Sequence, residues 1–569
     1  MRGMRACAVT ALAIFALLPG VAAAKPKDSD QHVQVLAIND FHGNIQPPTG
    51  SSGRITTGVG QTVDAGGVEY LKTWVDKLRA QPGHDHSYFV GAGDLIGASP
   101  LVSGLFHDEP TIEALNAIGM DWSSVGNHEF DEGIDELQRM QNGGCHPVDG
   151  CQDGDPFAGA AFKYLAANVF YKDTDRTIFP PYKVVKVGNA KLAFIGMTLE
   201  GTPDIVTPSG VAGLEFHDEA ATANALVTKL RQEQGVRAFV VLLHQGDQQN
   251  PPYAKGYQDV NGCENLSGDL TPILQQLSPD IDVVASAHTH QAYNCRIDGR
   301  LVTSGSSFGR LVTDLELTID HQTKDVSKDS ATNVIVTRTV AKDPAETKIV
   351  QKYETASGPI AHRVVGSIAS DFTAAQTPAG ESTLGDLIAD SQLAATAPAD
   401  FGGAVVAFMN PGGIRADLVF ANNDAGEAPG EVTYNELYKV QPFANTMVVK
   451  TMTGDMIRRL LEQQIFPATP TDLGRILQVS TGFHYTWDGS QPAGQRVSGI
   501  SINGTPVEPN GSYRVAMNNF LATGGDGFSV FNEGTDQLGG AVDIDAFGDY
   551  IHANSPVAPA PRDRITKVG

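Results

Sequence analysis

Positive charge is what this chain is shortest of: 40 Lys and Arg stand against 65 Asp and Glu over 569 residues, a formal charge of −25. Binding a nucleic-acid polymer depends on clustered cations, so the deficit argues against such a partner. It leaves room for a small phosphate ester whose charge a metal pair neutralises locally. The rest of the acidity reads as a solvated surface. Long apolar runs are missing too. Beyond the N-terminus no stretch can span a bilayer, and Pro556 to Gly569 is polar, so no membrane anchor is expected. No internal repeat and no low-complexity tract occurs, which argues against a solenoid. What remains is a globular composition, 41% hydrophobic and 18% charged, with enough chain for two or three domains.

The first 24 residues read as a secretory signal. Arg2 and Arg5 form its basic start, an apolar run reaches Val21, and Ala22-Ala23-Ala24 makes a small-residue cleavage site. Export to the periplasm or the medium, an oxidising compartment, follows. Removing the signal leaves Cys145, Cys151, Cys263 and Cys295, which allow three pairings. The short Cys145–Cys151 loop favours a local bridge, leaving Cys263 with Cys295. A zinc site on these cysteines is the weaker alternative, because C-x₅-C is not the usual knuckle spacing.

Between residues 30 and 340 strands and helices alternate. Val68, Leu71, Val75 and Leu78 mark one helical face; Ile112, Leu115 and Ile118 mark another, with Gly119 as its C-cap. This is the grammar of a helix-covered sheet. Residues 341–362 read as a linker helix, polar and without a strong apolar face. A second domain is expected over 363–569, with glycine-rich turns at Asn410-Pro411-Gly412-Gly413 and Gly524-Gly525-Asp526-Gly527.

Five apolar runs of the first domain end in residues able to hold a metal: Asp40 and His42, Asp94, Asn127, His244, and His288 with His290. Ligands gather outside the carboxyl ends of strands in open α/β sheets. Each residue alone has an ordinary explanation, Asp40 as a helix N-cap or Asn127 as a turn former. Their joint occurrence favours a dimetal centre, with Asp94 as the shared ligand because a carboxylate has two oxygens. Mixed N/O donors suit Zn²⁺, Mn²⁺, Fe or Co²⁺ better than Ca²⁺.

With Asn127-His128-Glu129-Phe130-Asp131, Asn410-Pro411-Gly412-Gly413-Ile414-Arg415, Gln441-Pro442-Phe443 and Asn519 to Phe528, these segments resemble the 5′-nucleotidase family of calcineurin-like metallophosphoesterases. The resemblance covers nearly the whole mature chain. It implies an N-terminal αββα metallophosphoesterase sandwich and a C-terminal α/β 5′-nucleotidase domain that rotates relative to it. It also implies one metal on Asp40, His42, Asp94 and His290, a second on Asp94, Asn127, His244 and His288, and phosphate release by metal-activated water. Some family members carry Gln where this chain has His290. His128 directly follows a ligand and is suited to stabilise the transferring phosphoryl group or to protonate the leaving group, with Asp131 holding its ring.

Arg415 suits a phosphate, Phe443 and Phe520 could sandwich a base, and the resemblance assigns ribose to Asp526 and substrate to Asn410. Core or surface roles are the ordinary alternatives for these residues. Animal members carry an arginine before the segment matching Leu384-Gly385-Asp386; this chain has none, so Arg415 is expected to lead the phosphate clamp. The expected activity is a monomeric 5′-nucleotidase acting on small nucleotides. The alternatives are a 2′,3′-cyclic nucleotide phosphodiesterase with 3′-nucleotidase activity, a UDP-sugar hydrolase, or a non-catalytic nucleotide-binding surface protein.

Overall fold

Strand Gln31–Ile38 is buried along almost its whole length, as a β-rich run covered on both faces must be. It sits centrally in a sheet ordered Val326–Ile335, Leu311–Ile319, Gln31–Ile38, His86–Gly91, Trp122–Ser124, Lys163–Leu165. The last four strands run parallel, and the Leu311–Ile319 and Val326–Ile335 strands pair antiparallel. These relations come from a computed structural model that describes residues 29–568 except 49, 58–60, 207–208, 250–258, 423–425, 444 and 465–474. The signal segment expected over residues 1–24 lies outside the described residues.

A second sheet runs Ala292–Ile297, Arg300–Gly305, Val283–Ser286, Ala238–His244, Ala190–Thr198, Tyr182–Val187, with its four central strands parallel. The sheets face each other through Val33, Val35, Ala37 and Val90 on one side and Phe194, Val240, Leu242 and Val283 on the other. Helices cover the outer faces. Leu71, Val75, Ile112 and Leu115 seal the first sheet, and Ala223, Val227, Leu230 and Leu274 the second. The result is an αββα sandwich. Gly119 closes helix Glu109–Ile118 in the left-handed region at φ 83°, the conformation a C-capping glycine adopts without strain.

Helix Pro344–Ala361 begins where Asp343 accepts hydrogen bonds from the N–H groups of Ala345 and Glu346, with Pro344 in the first turn. It lies inside the span 341–362, starting three residues later and ending one residue earlier. It also has a buried stripe, Val350, Tyr353, Ser357 and Ala361. Val350 and Tyr353 join the core beside the first sheet, and Tyr353 meets Phe106 ring to ring at 4.9 Å. Two large apolar residues one turn apart are enough to dock an otherwise polar helix.

The C-terminal domain builds a five-stranded sheet, Gln478–Val479, Val406–Met409, Ser512–Asn518, Thr446–Thr453, Thr535–Val542. A four-stranded sheet contains Phe483–Trp487 and Ile565–Lys567. Phe408, Ile457, Leu460, Leu461 and Phe483 form part of its core. Cys145 pairs with Cys151 and Cys263 with Cys295.

Candidate metal centre and substrate cleft

The candidate ligands follow the carboxyl ends of parallel strands from both sheets, so the two sheets deliver them to one crevice. Asp40, His42, Asp94, His288 and His290 all have positive φ, between 46° and 70°. Such backbone is uncommon for residues other than glycine, and it persists where surrounding structure over-determines it. Here it turns the side chains back toward a common point. The ligand atoms of Asp40, His42 and His290 lie within 4.8 Å of one another, as do those of Asp94, His244 and His288. Asp94 joins the two groups. Its Oδ2 is 3.1 Å from His244 Nε2 and 3.7 Å from His42 Nε2, while Oδ1 accepts the His128 backbone N–H at 2.9 Å. Asn127 Oδ1 lies 3.1 Å from His244 Nε2.

The donor set fits divalent cations. His42 Nδ1 donates to the Gly97 carbonyl at 2.8 Å and His244 Nδ1 to the Ala92 carbonyl at 2.9 Å, so Nε2 faces the centre in both. Burial pushes His42 and His288 down to about 3, which keeps them as neutral imidazoles, the ligating form. Burial works against charge on Asp94, yet the neighbouring His244 and His128 hold its carboxyl well below the usual range. Asp40 is fixed by Asn39 Nδ2 at 2.6 Å and by the His288 N–H at 3.0 Å.

Sequence reasoning missed Glu129 as a working residue. Its buried carboxylate accepts the N–H groups of Asp94, Leu95 and Gly126 at 2.9, 2.8 and 2.6 Å, and so ties two ligand loops together. The run Asn127 to Asp131 contained that signal. Gly126 is there for space: a Cβ would sit 2.2 Å from Asp94 Oδ1. Gly126→Ala is therefore expected to weaken metal affinity on the order of 10–100-fold, as disturbing a ligand's support does. Metal content after dialysis, with an unchanged far-UV spectrum, checks this.

His128 Nδ1 pairs with Asp131 Oδ2 at 2.8 Å. Burial opposes a charge on His128, but Asp131 and Asp94 raise its pKa above the ordinary value. Its ring stacks on Phe443 of the C-terminal domain, with centroids 5.7 Å apart. Around this contact lies a cavity of about 220 Å³, lined by Asn127, His128 and His288 from one domain and Asn410, Arg415, Phe443, Phe520 and Asp526 from the other. Asn410 Nδ2 donates to Asp526 Oδ2 at 2.9 Å, and the Arg415 guanidinium lies 5.8 Å from the Phe443 ring centre. Arg475, which no motif pointed to, also lines the cavity and pairs with Asp526 at 3.2 Å. Arg415 is thus not the sole guanidinium at this wall.

Residues 33–292 match the calcineurin-like phosphoesterase family and residues 359–533 the 5′-nucleotidase C-terminal domain family. The chain is 33% identical to Endonuclease YhcR of Bacillus subtilis over 94% of its own length, but spans only 41% of that protein. It is 31% identical to cell wall protein Lmo0130 of Listeria monocytogenes, covering 91% of this chain and 67% of that one. Among solved structures, the 5′-nucleotidase precursor from Thermus thermophilus superposes with a TM-score of 0.73 at 26% identity, over 95% of this chain and 99% of that one.

Proposed function

Since the chain belongs to the 5′-nucleotidase family of calcineurin-like phosphoesterases, we propose that it is an exported hydrolase releasing phosphate from nucleoside 5′-monophosphates and related nucleotides. The observation that carries this reading is the shared cavity, where the candidate ligands Asn127 and His288 meet Asn410, Arg415, Phe443 and Asp526. We assign one divalent ion to Asp40, His42, Asp94 and His290 and a second to Asp94, Asn127, His244 and His288, drawn from Zn²⁺, Mn²⁺, Co²⁺ or Fe. Such ions, when bound, neutralise phosphoryl oxygens and acidify a water.

The protein's own groups do the rest. Arg415 meets the phosphate with its planar fork. Phe443 and Phe520 offer apolar faces to a base, a contact worth roughly 1–3 kcal/mol. Asp526 offers acceptor oxygens to the ribose, its carboxylate held by Asn410 and Arg475. His128, whose pKa Asp131 and Asp94 raise against burial, delivers a proton to the leaving oxygen. We place the domain pivot at the C-terminal end of helix Pro344–Ala361, because its Val350 and Tyr353 are packed in the core beside the first sheet.

Arg475 favours a second reading, because two guanidinium groups at one wall suit a diphosphate such as a UDP-sugar. The name of the endonuclease relative does not transfer, since a chain of charge −25 is a poor partner for a polyanion. Phosphate release from AMP, 2′,3′-cyclic AMP and UDP-glucose, measured side by side, ranks the substrates. AMP is expected to lead, with turnover abolished by chelator and restored by Mn²⁺ or Co²⁺. A metal-replete protein that hydrolyses none of the three would be a binder, and the proposal would fail.

A further inference from the structure

Gly104 ends the short helix Leu101–Gly104 of the first domain with ordinary right-handed backbone, so nothing in its φ calls for glycine. Alanine would serve that helix better. The reason for glycine stands across the domain boundary. A Cβ at Gly104 would lie 2.5 Å from the hydroxyl oxygen of Tyr438 and 3.3 Å from its Cε1 and Cζ. These are its three nearest neighbours outside its own helix backbone. Tyr438 therefore rests directly on the Gly104 backbone, in a seat that a side chain would fill.

Both sides of this contact lead to the site. On the first domain's side, Ser103 Oγ donates to Asp108 Oδ1 at 2.7 Å, and Asp108 Oδ2 accepts the Gly97 N–H at 2.9 Å. The Gly97 carbonyl in turn accepts the His42 Nδ1–H at 2.8 Å. On the other side, Tyr438 belongs to helix Tyr434–Val440. A capping box between Thr433 and Glu436 fixes the first turn of that helix, and its Leu437 and Val440 are fully buried. The Val440 carbonyl accepts the Arg415 N–H at 2.9 Å, and Phe443 follows three residues on. A short helix anchored in this way moves as one piece, so its placement decides where Arg415 and Phe443 stand.

We propose that Tyr438 seated on Gly104 is a positioning contact for hydrolysis, setting Arg415 and Phe443 against His128 at the separation that turnover needs. The inference rests on the hydrolase reading above, in which Arg415 and Phe443 hold the nucleotide. Neither Gly104 nor Tyr438 lines the cavity, so each acts through the helix and not on the substrate.

The test is a suppressor pair on the full chain. Gly104→Ala is expected to lower kcat/KM for AMP about 10²-fold, the effect of a 1 Å misplacement, with metal content unchanged. Tyr438→Phe, which removes only the hydroxyl, should stay close to wild type. The double variant should recover most of the loss, because the new methyl then meets only ring carbons at 3.3 Å. Hydrogen exchange of the segment 434–443, read without substrate, should quicken in Gly104→Ala and slow again in the double variant. An inactive wild type would sink the hydrolase reading, and exchange alone would then judge this contact. Exchange equal in all the proteins would overturn it. So would wild-type kcat/KM in Gly104→Ala, or a loss that Tyr438→Phe does not relieve. Should Gly104→Ala not fold, Tyr438→Ala decides in its place, and wild-type turnover with the seat empty would overturn the proposal equally.

Discussion

Asp94→Asn should cost the protein the ions of both ligand groups at once, where loss of any other ligand would disturb one. The carboxylate faces His244 on one side and His42 on the other through a single oxygen, while its second oxygen anchors the His128 N–H. An amide of the same shape carries no charge and has only one acceptor atom. Whichever way it is turned, both imidazoles lose their anionic neighbour, and either the oxygen they share or the acceptor of the His128 N–H becomes an NH₂ donor. Metal catalysis of phosphoryl transfer is worth several kcal/mol, so turnover should fall on the order of 10³-fold or more, even with Mn²⁺ in excess. Metal analysis of the dialysed variant, run beside a turnover assay, checks both halves. A variant that kept its ions and its rate would show that Asp94 is not shared.

His128→Ala should behave in the opposite manner: full metal content, with kcat lower by about 10²–10⁴-fold, the usual contribution of a general acid. Its side chain is paired with Asp131 and faces the cavity, so its loss leaves the ligand loops in place. Unchanged turnover would remove it from the mechanism. Asp131→Asn separates proton delivery from packing. Burial disfavours the imidazolium, and Asp131 and Asp94 together lift the His128 pKa above its ordinary value. The acid is active while protonated, so the rate falls as pH rises through that pKa. Removing the Asp131 charge lowers the pKa, and the alkaline limb of kcat/KM should therefore move to lower pH. A limb that stays in place would show that Asp131 only packs.

The parts of this protein readable along the chain are those that depend on near neighbours. A C-cap such as Gly119 needs only its own helix, and the Cys145–Cys151 bridge only a short loop. The strand-end positions of Asp40, Asp94, Asn127, His244 and His288 show as apolar runs that stop at polar residues. Helix Pro344–Ala361 was harder to read, because its buried stripe rests on Val350 and Tyr353 amid charged residues. Glu129 stood in plain view between His128 and Asp131, but its task is to accept three N–H groups from two separate loops.

By itself, then, the sequence determined the alternation of strands with covering helices and which side chains with metal affinity stand at strand ends, since both follow from hydrophobic pattern and residue type, while the αββα layering was implied by the family resemblance. Only the tertiary structure decided which of them meet. Asp94 reaches His42 and His244 together because parallel register aligns the strand ends within each sheet and the packing of the two sheets brings those ends to one crevice. Arg475 joins Asp526 through the fold of the C-terminal domain, and Phe443 covers His128 because two domains close on one cavity. Such meetings join residues far apart along the chain, and no local preference encodes them.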